Sequence, residues 1–170
     1  MFKTNETNIL VNEAVKDAND VALRSYVIGR ISGDNRYDMC NCDNFKLAID
    51  FRNQFESRNV YVKIYYPKWR YSKAIGYFNA SIPDEINVNG YKLNSMKKWQ
   101  LVSNFYHEFA HSIMEFSSCD CHHGSNSSVG KENTFQYSIN RYVKDFYRVE
   151  DTIVYRKSWF RRILDKLKWW

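Results

Sequence analysis

The sequence predicts an α+β fold, a small, mostly antiparallel sheet packed with one long helix and further helices. Three observations carry that expectation. Apolar residues recur at three- and four-residue steps before position 56 and again after position 95. A block between them is rich in β-branched and aromatic residues and alternates with period two. Helices and strands are therefore largely segregated along the chain.

Taken in order, Leu10, Val11, Ala14, Val15, Ala18, Val21, Ala22 and Val27 predict one amphipathic helix over 8–31, stopped by Ser32-Gly33-Asp34-Asn35. A polar loop then carries Cys40 and Cys42, and Phe45, Ala48, Ile49 and Phe51 to Phe55 predict a second, shorter helix. Val60, Val62, Ile64 and Tyr66 read as a strand, Ala74 to Asn79 as another. Ile86 to Leu93 reads as a third strand, unless Asn89-Gly90 makes a tight turn inside it. Ser95 is the expected cap of a long helix running to about Phe116, with Trp99, Val102, Phe105, Tyr106, Phe109, Ile113 and Met114 on its apolar stripe. Residues 117–133 read as an irregular loop. Phe135, Ile139, Tyr142, Val143, Phe146 and Val149 then mark a last helix.

The 170 residues fit one domain over 1–156 with an appended tail, 157–170. A composition 44% apolar and 17% aromatic excludes global disorder. Five basic residues and one acid in the tail account for four of the six net positive charges, so the body is only weakly basic. That is not the spread footprint of a nucleic-acid-binding face. The tail, KSWFRRILDKLKWW, has the pattern of a basic amphipathic helix. It would fold back on the core, lie on an anionic membrane surface or engage a partner. Tyr61, Tyr65, Tyr66, Tyr71, Tyr77 and Phe78, interleaved with Lys63, Lys68, Arg70 and Lys73, read as sheet packing, with nucleic-acid stacking less favoured. Neither a signal peptide nor an apolar run of 18 residues is present, so a cytoplasmic location is expected, in a phage-encoded or effector-like protein by its Tyr-, Asn- and Lys-rich composition.

The chemistry is concentrated in His107-Glu108-Phe109-Ala110-His111. Two histidines four residues apart on a helix project from one face and supply two zinc ligands. Glu108 beside them is placed to act as general base, taking a proton from a water that the metal has acidified and passing it to the leaving amine. By chance the pattern appears in roughly 0.5% of chains this long, and here it falls mid-helix after candidate strands.

With this pentapeptide the chain resembles the zincin superfamily of metallopeptidases. The resemblance covers 60–146 and implies Zn2+ as cofactor, a peptide or protein substrate, and a small sheet before the motif helix whose edge strand aligns substrate by strand addition. Met114 and Ser117 stand where the metzincin branch has glycine and histidine, which removes that branch. His123-Gly124 followed by FQYSINRYV is loosely SprT-like and makes His123 the favoured third ligand, although no zinc ribbon follows. Glu132, as in gluzincins, and His122 or Asp120 stay open. The pairs Cys40/Cys42 and Cys119/Cys121 are open between a structural zinc, disulfides and inert thiols. Tyr137, Asn140 and Arg141 are within reach as oxyanion helpers.

The expected function is a zinc-dependent endopeptidase. Two alternatives stand beside it: a SprT-like protease acting on nucleic-acid-associated proteins, and a non-catalytic, zinc-stabilised binding module whose coordination would be saturated by a fourth protein ligand such as Cys119 or Cys121.

Overall fold

A short polar pair decides how the chain begins. The computed structural model describes residues 1–34, 43–68, 74–114 and 134–148. Within it the single helix expected over 8–31 is two helices, α1 (Ile9–Ala18) and α2 (Val21–Ser32). Asn8 caps α1 by accepting from the Val11 N–H. Asp20 caps α2, accepting from Ala22 and Leu23 at 2.8 and 3.0 Å. Between them the Asn19 amide gives and takes hydrogen bonds with the Phe2 backbone, as a neighbouring strand would. Asn19-Asp20 therefore ends one helix and starts the next, a break that apolar periodicity alone does not register.

Helix α3 (Asn44–Ser57) follows, capped by Asp43. The strands are β1 (Phe2–Lys3), β2 (Val60–Tyr65), β3 (Gly76–Phe78) and β4 (Glu85–Asn89), in sheet order β1-β2-β4-β3. The sheet is not mostly antiparallel. Among the described residues β1 pairs with β2 in parallel and β2 with β4 in parallel, while β3 and β4 run antiparallel. Alternation within a strand reports which face is buried and is silent on strand direction. Here the connection from β2 to β4 contains β3, which takes the outer edge and leaves β4 aligned with β2.

The third predicted strand ends early. Asn89 closes β4 and caps a 3-10 helix, Gly90–Ser95, by accepting from the Tyr91 N–H, so Asn89-Gly90 is not a hairpin turn. Gly90 is required there because a Cβ would run into the Tyr66 ring and Ile64. Ser95 ends this 3-10 helix, its hydroxyl donating to the Lys92 carbonyl, instead of capping the long helix. Helix α4 (Lys98–Met114) starts three residues later, where Gln100 accepts from the Lys97 N–H in the manner of a capping box. Residues 134–148 complete the described chain, with a last helix, α5, over 135–148.

Residues 101–110 of α4 are buried on every side, so this helix is the hub of the fold. It packs on α1, α3 and β3. Phe2 from β1 sits in an aromatic cluster with Phe55, Phe105, Tyr106 and Phe109, at ring distances of 5.2 to 5.8 Å. The buried Tyr106 hydroxyl donates to the Ala18 carbonyl at the end of α1, and burial pushes its pKa up. Among the described residues no helix is long and apolar enough to cross a membrane. The tail 157–170, Cys40, Cys42, Cys119 and Cys121 lie outside the described residues.

Candidate active site

Helix α4 sets one wall of a cleft of about 1010 Å3, β3 a second and α5 a third. From α4 come Asn104, His107, Glu108 and His111; from β3, Gly76 to Phe78; from α5, Tyr137, Asn140, Arg141 and Lys144. The cleft thus collects the two predicted ligands on α4, the predicted base and all three oxyanion candidates. His123, Glu132, His122 and Asp120 lie outside the described residues. Among the described residues no group of three or more metal-ligating side chains forms, so the third ligand is not placed.

His107 and His111 stand one turn apart with ring centroids 5.1 Å from each other. His107 is buried, and its Nδ1 lies 3.1 Å from the Gln136 backbone carbonyl on α5. A carbonyl can only accept, so this contact selects the tautomer that carries its proton on Nδ1, which makes Nε2 the unprotonated ring nitrogen. That is the orientation a metal-binding imidazole requires. The Asn140 amide sits 3.0 Å from the same Nδ1, and the orientation compatible with this tautomer turns its oxygen to the ring. Ser103 Oγ, 2.9 Å from the Asn140 side chain, can donate or accept and suits either orientation. Tyr137 packs edge-on against His107 at 5.1 Å.

Glu108 is 5% exposed. Burial pushes its carboxyl up to about 7, against the opposing pull of hydrogen bonds from the Asn104 side chain and the Phe78 backbone N–H. Asn104 Nδ2 donates to Glu108 at 3.2 Å, one helical turn back along α4. A carboxyl that titrates near neutrality can take up and release a proton at working pH. Asn104 and Phe78 went unnoticed in the sequence as site residues. For Asn104 the signal was its place one turn before Glu108; for Phe78 none existed, because the contact is made by backbone.

Among the described residues β3 is the outer strand of the sheet, and no strand pairs with its other edge. The Asn89 N–H donates to the Ile75 carbonyl at 2.8 Å, so the hydrogen-bonded pairs are Ile75 with Asn89 and, by alternation, Tyr77 with Asn87. Gly76 and Phe78 therefore direct their backbone groups away from β4, to the side where the Phe78 N–H meets Glu108. Gly76 allows this approach: a methyl there would lie 2.7 Å from the Asn87 carbonyl oxygen and closer still to Asn104 Oδ1.

No protein-family model matches the chain, and neither a curated protein nor a solved structure matches it.

Proposed function

We propose that the protein is a zinc-dependent metallopeptidase of zincin type, hydrolysing a peptide bond in the cleft between β3, α4 and α5. The observation that carries this reading is the meeting of His107, Glu108 and His111 in one cleft beside the open edge of an antiparallel strand. The donor set fits zinc: two imidazoles one turn apart, one of them with its Nδ1 held by a backbone carbonyl, which leaves Nε2 as the nitrogen that would ligate. His107 and His111 would hold the ion, with His123 the favoured third ligand from outside the described residues. Zinc bound there would polarise the scissile carbonyl and acidify a water.

The chain's own residues supply the rest. The backbone of Gly76 and the Phe78 carbonyl offer hydrogen bonds to an extended peptide laid along β3, which fixes its register over α4. Glu108, tuned toward neutrality, accepts the proton from water and delivers it to the departing amine nitrogen. Asn104 and the Phe78 N–H hold the carboxylate in place for both transfers. Tyr137 on α5, packed edge-on against His107, faces the space where charge would develop on the carbonyl oxygen.

Zinc content and peptide hydrolysis of the full chain test the proposal. About one zinc per chain is expected, lost in His107→Ala and in His111→Ala. Glu108→Gln should retain the zinc and lose hydrolysis. Loss of zinc in His123→Ala places the third ligand there; retention moves it to Glu132, His122 or Asp120. Wild-type protein that takes up no zinc sinks the reading.

A further inference from the structure

The α5 wall of the cleft is cationic away from the histidines. Arg141 and Lys144 are three residues apart on one face of α5 and both line the cleft. Glu108 is the single acid among the described lining residues, and it lies at the other end. Arg141 is half-buried; its Nη2 donates to Ser138 Oγ at 3.2 Å, while its buried Nε has no partner among the described residues. An N–H of a guanidinium withdrawn from water without an acceptor is costly, and a carboxylate is the acceptor that matches its planar fork.

The position of this pair follows from helix geometry. Ser103 meets Asn140, and His107 meets Gln136, so α4 and α5 run antiparallel. Arg141 is then level with about residue 102 of α4, and at ~1.5 Å per residue it lies about 10 Å along the axis from the midpoint between His107 and His111. An extended peptide covers that distance in about three residues.

We infer that the cleft selects substrates with a carboxylate about three residues from the scissile bond, bound by Arg141 and Lys144. The inference rests on the peptidase reading and names its substrate class. The carboxylate is either an Asp or Glu side chain or the free C-terminus of a peptide. Lys144, exposed at the rim, draws it in by charge, and Arg141, deeper in the wall, fixes it by hydrogen bonds from the side of its guanidinium.

The test is a profile of cleavage sites. Zinc-loaded full-length protein is incubated with a complex mixture of proteome-derived peptides, prepared with free and with amidated C-termini, and Glu108→Gln serves as the blank. Enrichment on the order of tenfold for a carboxylate at one fixed position is expected. The enrichment should fall away in Arg141→Met and in Lys144→Glu, and return in part in Arg141→Lys. Lys144→Glu lies on the surface and reads out the charge without threatening the fold. Enrichment that survives amidation identifies an acidic side chain; cleavage at a fixed distance from the end that vanishes on amidation identifies the C-terminus. A flat wild-type profile, or a preference unchanged in both variants, overturns this inference and leaves the peptidase standing. Absence of any Glu108-dependent cleavage overturns both.

Discussion

Replacing Glu108 by glutamine should stabilise the metal-free protein, and by an amount that depends on pH. Burial raises the folded-state pKa from 4.5 to about 7, so the folded chain holds a proton in this range that the unfolded chain has released. The stability tied to that proton is fully present below about pH 4.5 and is lost as pH rises through about 7. The shift corresponds to about 3 kcal/mol between the two limits. Glutamine has the same shape and no titration, and Asn104 can turn its unpartnered Oδ1 to meet the new NH2 group. Thermal melts of both proteins in chelator, from pH 5 to pH 8, should therefore diverge, with the variant gaining on the order of 10 °C in relative Tm at the alkaline end. His107 and His111 are common to both proteins, so the difference between the two curves reports on Glu108. Parallel curves, or a gap that widens toward acid, would refute the burial argument.

Three further outcomes follow from geometry. Gly76→Ala should cost about 1–3 kcal/mol, since the new methyl meets the Asn87 carbonyl and Asn104, and should depress hydrolysis more than unfolding explains; denaturant titration beside a rate assay separates the two. Asn140→Ala should weaken zinc affinity by about 10- to 100-fold without abolishing the site, measured by competition with a chromogenic chelator. Phe2→Ala should lose about 3–5 kcal/mol of stability by chemical denaturation, because Phe2 contacts four other aromatic rings. An Asn140→Ala protein of unaltered affinity, or a Phe2→Ala protein of nearly native stability, would contradict the contacts described.

Much of this arrangement was legible in the residues. The motif helix, its placement after the strands and the final helical run all come from periodicity, and the carboxylate flanked by two histidines comes from spacing. What was not legible has physical causes. Asn19-Asp20 splits a continuous apolar pattern because caps act through side-chain oxygens that periodicity does not weigh. β1 is two residues long, too short for any alternation, and exists because Phe2 and Lys3 find partners 58 residues away on β2. Strand direction was invisible, since the burial of Val60, Val62, Ile86 and Val88 is the same for parallel and antiparallel neighbours. At the site, the tuning of Glu108 comes from a backbone N–H on β3 and from the depth of burial, neither of which a pentapeptide encodes.

The pairing of β1 with β2 has a consequence for how the chain reaches its fold. Phe2 lies ahead of α1 in the sequence, yet its ring partners extend to Phe109 on α4. The aromatic cluster is therefore complete only when α4 meets segments far from it in the sequence. Closing so long a loop carries a high entropic cost that local helix contacts cannot offset early. Helices α1 to α3 are built from local contacts, while the cluster that joins them to the sheet depends on non-local ones and closes later. The core is thus joined through contacts of long sequence separation, which form later than the helices they connect.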